Sequence, residues 1–104
     1  MPQFVHLHNH TDFSLLDGAA PVKALVAAAK AFNMPGLAIT DHGNMFGALN
    51  FYKECKAHEI NPIVGCEFYV AAGSRRDTSL TESGNKYWHF ILLAENQEGY
   101  KNLL

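Results

Sequence analysis

Short apolar runs alternate with helix-like patterns along this chain, and that alternation limits the folds open to it. Extended runs lie at 4–10, 37–40, 62–70 and 87–94, and helical spacing lies at 21–32, 45–58 and 96–104. Between the third and fourth runs, residues 71–86 are polar and predict a loop. Strands separated by helices are typical of α/β folds with mainly parallel strands and right-handed crossovers. Functional side chains are then expected where the strands end.

Composition excludes several classes of protein. The chain has 104 residues, enough for one domain at most, and 48% of them are hydrophobic, as in an ordinary globular protein. A net charge of −2 with eight scattered basic residues gives no basic face for nucleic acid. No apolar run approaches the roughly 20 residues that span a bilayer. Cys55 and Cys66 are too few for a disulfide framework, so we expect a cytoplasmic protein.

Three of the six histidines fall in the first extended run, at His6, His8 and His10. In a strand, alternate residues share a face, so these three imidazoles are expected on one side. A lone strand histidine is usually a packed or hydrogen-bonded side chain. A row of three needs a partner, because each unpaired buried polar group costs about 1–3 kcal/mol. A metal ion is the favoured partner.

Other polar residues are expected at the same rim. His42 follows the second strand, Asp17 lies in the loop after the first run, and Glu67 interrupts an apolar strand where an unpaired charge would be costly. The candidate ligands are imidazoles and carboxylates: His8, His10, Asp17, His42 and Glu67, with His89 as a less certain sixth. That mixture favours a catalytic, hydrolytic site for zinc, manganese or iron.

Several candidates have ordinary alternatives. Asp17 precedes a glycine and could form only a turn. Asp41 could orient an imidazole or be a simple loop carboxylate. His89 lies at the start of its strand, which in a parallel sheet is the edge opposite to the carboxyl ends where the ligands are expected. His6 lies deeper in the row and is expected in a second layer or the core, while His58 is expected on the surface at a helix end.

Five strings together resemble the polymerase and histidinol phosphatase (PHP) domain. They are HNHT at 8–11, SLLDG at 14–18, ITDHGN at 39–44, PIVGCEFYV at 62–70 and WHFILLAEN at 88–96. The resemblance covers essentially the whole chain. The longer strings are similar to the PHP domains of bacterial replicative DNA polymerases in particular.

The resemblance implies a distorted barrel of seven βα units that holds up to three divalent ions, zinc or manganese. His8 and His10 match its first motif, Asp17 the ligand after it, and His42 its second motif. Glu67 and His89 match the next two ligands, so the resemblance supports His89 where strand geometry does not. It further implies that His8, His10, His42 and Glu67 act in catalysis through bound metal.

The length predicts a partial domain. A complete (β/α) barrel needs about 200 residues or more, and this chain has enough for three or four strands with flanking helices. Residues 1–104 are therefore expected to be the N-terminal fragment of a PHP domain, without the remaining ligands and without polymerase domains. We expect the fragment alone to be inactive. Its unclosed sheet would expose strand edges and invite self-association.

Three functions remain open. The first is metal-dependent phosphoesterase chemistry, by resemblance a 3′–5′ exonuclease or pyrophosphate removal, in the complete domain of a replicative polymerase. The second is a scaffold that supports the polymerase and docks the proofreading exonuclease. In both, DNA, the proofreading exonuclease and the sliding clamp are the implied partners. The third is a free-standing phosphatase of the histidinol phosphate type, against which residues 41–70 argue.

Overall fold

The computed structural model describes residues 3–76 and 87–104, which form one small sheet with helices packed on it. The predicted α/β class is confirmed. In chain order the elements are a 3-10 helix (Asp12–Asp17), α1 (Val22–Ala31), β1 (Gly36–His42), α2 (Ala48–Ala57), β2 (Asn61–Ala71), β3 (Tyr87–Leu93) and α3 (Gln97–Leu103). Most of the predicted loop, residues 77–86, lies outside the described residues.

The three strands lie in the order β1-β2-β3, with β2 in the centre. β1 and β2 are parallel and place His42 opposite Glu67. β2 and β3 are antiparallel and place Tyr69 opposite His89. The expectation of a mainly parallel sheet is therefore wrong for β3. A parallel neighbour needs a long crossover, usually a helix, and the sequence between β2 and β3 has no helical periodicity.

The N-terminal run is extended, but it is not a strand as expected. It lies along β1, where Ala38 N–H donates to the His6 carbonyl at 3.1 Å and Thr40 N–H donates to the Asn9 carbonyl at 2.9 Å. Side chains interrupt the ladder: Asn9 N–H donates to the Thr40 hydroxyl at 3.0 Å, and the Asn9 amide donates to the Ala38 carbonyl at 2.9 Å. The run still covers the β1 edge of the sheet.

The two predicted helices in the first half of the chain are confirmed, with shorter bounds. α1 buries Val22, Val26 and Ala29, and Asn33 follows it in the left-handed conformation, at φ 57°. α2 begins at Ala48, later than predicted, because Asn44 does not cap it. Instead, the Asn44 side-chain amide donates to the carbonyls of Phe13 and His42.

The hydrophobic core lies between the sheet and these two helices. Phe51 and Cys55 of α2 are fully buried, and they meet Val26 of α1 and the β1 residues Leu37 and Ile39. This packing fixes β1 against the helices and leaves its last residue, His42, at the rim of the sheet. Within the described residues, every helix is too short or too polar to cross a membrane.

Candidate metal centre

Glu67 is the centre of the site. Its register opposite His42 places it beside the end of β1, and its side chain is only 5% exposed. Oε1 lies 2.9 Å from Nε2 of His8. Oε2 lies 2.5 Å from Nδ1 of His42 and 3.3 Å from Nε2 of His10. One buried carboxylate thus faces imidazoles from three positions in the chain.

His89 joins the same carboxylate from β3. Its Nδ1 lies 3.5 Å from Oε2 of Glu67, while its side chain remains 55% exposed. The expectation that His89 lies at the wrong end of the sheet is wrong, because the start of an antiparallel β3 lies beside the end of β2. The missing helical pattern before β3 is the sequence signal that could have shown this.

Asp17 approaches the site from the 3-10 helix. Its Oδ2 lies 2.7 Å from Nε2 of His42, although its side chain is 75% exposed. Asp17 is therefore more than a turn residue in this structure. His42 lies between two carboxylates, with Asp17 at one ring nitrogen and Glu67 at the other.

Three atoms of this cluster are buried without a hydrogen bond: Nε2 of His10, Nε2 of His42 and Oε2 of Glu67. Each of these atoms has an oppositely charged or polar partner atom within 3.3 Å, so distance does not prevent a hydrogen bond. What is lacking is the angle between donor and acceptor that a hydrogen bond requires. Lone-pair atoms that converge without donating to one another suit a shared cation. The residues therefore fit a divalent metal site.

The candidate ligands fall into three groups, each with donor atoms within 4.8 Å of one another. The groups are His8, His10 and Glu67; His10, Asp17 and His42; and His42, Glu67 and His89. His10, His42 and Glu67 each belong to two groups, so neighbouring ions could share ligands. The structure brings together all six residues that the sequence indicated as metal ligands.

Asp41 organises the loop that carries Asp17. It is 1% exposed, and its carboxylate accepts hydrogen bonds from Thr11 and from the Ser14 hydroxyl, the latter at 2.8 Å. Ser14 in turn accepts from the His42 backbone N–H at 3.1 Å. Neither sequence reading of Asp41 is correct, because it is buried and contacts no imidazole. Sequence reasoning gave no role to Thr11 and Ser14, although both lie in the strings that carry the family resemblance.

The remaining histidines lie outside the cluster. His6 is exposed, and its ring packs against Phe4 with centroids 4.7 Å apart, so the expectation of a second-layer or core position is wrong. His58 follows α2, where Nε2 lies 3.3 Å from the Glu54 carboxylate. Its predicted place at the helix end is confirmed.

The thiol nearest the site lies on the face of β2 opposite to Glu67. Cys66 is 1% exposed and its Sγ donates to the Asp41 carbonyl at 3.4 Å. Burial raises the pKa of this thiol, so it stays protonated at neutral pH. Burial also raises the pKa of Tyr69, with the neighbouring Tyr87 and Glu67 adding to the shift. The candidate ligands at this rim are therefore imidazoles and carboxylates.

The fold and this cluster define the class: residues 6–104 match the PHP domain, and the chain belongs to that family. The particular proteins that it resembles are DNA polymerase III alpha subunits. It is 54% identical to that of Treponema pallidum over 101 residues, which are 97% of this chain and 9% of that protein. For Borreliella burgdorferi the identity is 51% over 102 residues, 98% of this chain and 9% of that protein.

A relative from Mycobacterium tuberculosis strain H37Rv, also a DNA polymerase III alpha subunit, is 44% identical over 113 residues. That match covers 96% of this chain and 10% of the relative, so the chain spans about a tenth of the length of these proteins. Among solved structures, it is similar to a proposed metal-dependent phosphoesterase from Bifidobacterium adolescentis. The TM-score is 0.61 at 28% identity, over 66% of this chain and 23% of that one.

Proposed function

We propose that this chain is part of the PHP domain of a DNA polymerase III alpha subunit, and that its cluster binds divalent metal for phosphoester hydrolysis. The observation that best supports the metal site is the buried Glu67 carboxylate, whose Oε2 faces three imidazoles within 3.5 Å without a hydrogen bond. The names of the relatives and of the structural neighbour support the context. The names of the relatives, all DNA polymerase III alpha subunits, also favour the replicase over a free-standing histidinol-type phosphatase.

When bound, a divalent ion activates water at neutral pH and neutralises charge on the phosphoryl group. The residues of this chain set up that chemistry. Glu67 offers one oxygen to the group with His8 and the other to His42 and His89, so it can bridge two positions. Its 5% exposure excludes bulk water from that carboxylate, which strengthens its interaction with a cation. The side chain of Asp17 is 75% exposed, so we assign it to the side of the site that a substrate would approach.

We assign zinc or manganese as the ion and the 3′ end of DNA as the substrate, with 3′–5′ exonuclease-type chemistry. Imidazole and carboxylate donors suit both metals. Residues 1–104 would be the N-terminal segment of the domain and inactive alone. Among the residues that the structure describes, β3 is an edge strand, which would be open to self-association. Polymerase activity, and contacts to DNA, the proofreading exonuclease and the sliding clamp in the bacterial cytoplasm, would belong to the full-length subunit.

Elemental analysis tests the metal centre directly. The full-length subunit is purified as wild type and as the His8→Ala, His10→Ala double variant, and its zinc and manganese are measured. The wild type should hold metal and the double variant should hold less. His6→Ala is the matched control, because His6 belongs to the same run but lies outside the cluster. Equal, near-zero metal in wild type and double variant would contradict the proposal.

A scaffold role is the second candidate. Trp88, Phe90 and Leu92 alternate along β3 on the face away from Glu67, with exposures of 60%, 52% and 39%. Such an exposed apolar row favours contact with a partner protein. If docking is the main role, Trp88→Ser in the full-length subunit should weaken association with the proofreading exonuclease in gel filtration. Metal content should be unchanged, and unchanged association would contradict the scaffold role.

A further inference from the structure

Two tyrosines lie beside the metal cluster on the same face of the sheet. Tyr69 follows Glu67 by two residues in β2, and Tyr87 precedes His89 by two residues in β3, so alternation places all four on one side. Each tyrosine is 48% exposed. The pair therefore forms a partly open aromatic surface that continues directly from the candidate ligands.

The two rings are held in place by their neighbours. Their centroids lie 4.6 Å apart at an interplanar angle of 63°, and each ring lies 5.7 Å from the ring of His89 in an edge-to-face arrangement. Edge-to-face pairs at such distances are favourable. The cluster would thus present rings whose orientation is already set before a ligand arrives.

Tyr69 also rests on the loop after β1. A Cβ atom on Gly43, at φ +64°, would lie 3.0 Å from Cε2 of Tyr69, so only glycine allows this close approach. The ring is parallel to that of His42 within 5°, with centroids 6.4 Å apart. His42, which contacts Glu67 and Asp17, therefore also lies parallel to Tyr69 and helps to orient it.

The two faces of β3 differ in chemistry. The far face carries Trp88, Phe90 and Leu92, which are suited to packing against another apolar surface. On the site face, Ile91 and Leu93 follow Tyr87 and His89, so the aromatic residues with polar groups lie at the start of β3, beside the candidate ligands. Tyrosine and histidine combine a flat ring with a polar group and suit a wet binding site. A nucleobase is the planar part of a phosphoester substrate that such rings recognise, because every base has a face that stacks on aromatic side chains.

We propose that Tyr69 and Tyr87 form a base-binding wall beside the metal centre, which stacks on the base of a nucleotide whose phosphate reaches that centre. This inference rests on the proposed phosphoester function and adds its specificity. Tyr69 and Tyr87 are positioning residues for the substrate. The wall would favour nucleotides over phosphoesters that lack a base.

Binding of two probes tests the wall without measuring catalysis. The manganese-loaded full-length subunit is titrated calorimetrically with dAMP and with 2-deoxyribose 5-phosphate, which lacks only the base. dAMP should bind about 5- to 150-fold more tightly, the contribution of one stacked base. The His8→Ala, His10→Ala variant gives the baseline for binding elsewhere in the long protein.

Side-chain variants separate the ring from its hydroxyl. Tyr69→Leu and Tyr87→Leu should each lower the affinity for dAMP and leave that for 2-deoxyribose 5-phosphate unchanged. Tyr69→Phe should keep the preference, because it keeps the ring. Manganese content at the wild-type level shows that each variant retains a folded site, and Tyr87→Leu is the second test should Tyr69→Leu fail to fold.

The possible outcomes separate a failure of the base-binding wall from a failure of the proposed phosphoester function. If both probes bind above the baseline with equal affinity, the wall is overturned and the phosphoester site stands. If Tyr69→Leu weakens both probes equally, its role is structural and the wall is again overturned. If neither probe binds above the baseline, the proposed function fails and the wall fails with it.

Discussion

Asp41 binds Thr11 through both of its carboxylate oxygens. Oδ1 accepts from the Thr11 backbone N–H at 2.6 Å, and Oδ2 accepts from the Thr11 hydroxyl at 2.8 Å. Thr11 directly follows His10, and Asp41 directly precedes His42. This double contact therefore fixes the N-terminal ligands relative to the ligand at the end of β1.

Asp41→Asn should lower both stability and metal affinity. The amide would turn a donor toward Thr11 or Ser14, whose groups already donate to this position. Losing hydrogen bonds to a charged group costs about 1.5–3 kcal/mol, which urea unfolding would measure. Metal affinity should fall about 10- to 100-fold, as for other residues that orient ligands.

Asp12→Asn is the matched control for this change. Asp12 is exposed and lies in the same segment, so its free energy of unfolding should change by less than about 0.5 kcal/mol. Equal effects of the two substitutions would show that the buried contact does not hold the segment.

Local patterns were sufficient for much of the fold and for most of the cluster, whereas His89 was supported only by the family resemblance. Helical spacing predicted α1 and α2, because an amphipathic face depends only on nearby residues. The position of Glu67 late in an apolar strand predicted its place at the rim beside His42, because parallel neighbours end at the same edge. The alternation of His8 and His10 predicted that both rings reach one partner.

Long-range relationships were beyond such patterns. The direction of β3 depends on how it pairs with β2, and the apparent misplacement of His89 followed from assuming a parallel strand. The burial of Asp41 depends on Thr11 and Ser14, which lie about 30 residues away in sequence. The residues next to a strand-end carboxylate in sequence do not predict whether it is a buried hydrogen-bond acceptor or an exposed loop residue.

His89→Ala should lower the metal content of the full-length subunit. The imidazole completes the group with His42 and Glu67, and its removal takes away the only β3 donor of the three groups found in the described residues. His58→Ala is the control, since that ring contacts Glu54 at a helix end. Mass spectrometry under native conditions would count the bound ions, and the same count in wild type and His89→Ala would exclude His89 as a ligand.

Cys55 should make the protein less stable at alkaline pH. Burial, with a smaller effect of Glu54, raises the pKa of its thiol from 9.0 to about 11. Between these values the unfolded chain has lost the proton and the folded chain retains it, so rising pH favours unfolding. The stabilisation is complete below pH 9.0 and declines by up to about 1.4 kcal/mol per pH unit in this window.

Denaturant titrations of wild type and Cys55→Ala, below pH 9.0 and again between 9.0 and about 11, would measure this slope. Below pH 9.0 the substitution should lower stability, because it leaves a cavity at a fully buried position. It should also reduce the alkaline decline, and all other titrating groups cancel in the comparison. Identical slopes in the two proteins would refute the assignment to Cys55.

Gly65→Ala should weaken the pairing of β2 with β3. A Cβ atom at this position would lie 2.5 Å from the carbonyl oxygen of Leu92 and 2.7 Å from Cδ2 of Leu93, so the strands would have to separate. Overpacking of this kind costs about 1–3 kcal/mol. Because β3 carries His89, the same shift should lower metal content.

Gly73→Ala is the control, since nothing lies within 4 Å of its added Cβ. Thermal unfolding should separate the two variants, and equal midpoints would mean that β3 adjusts at no cost.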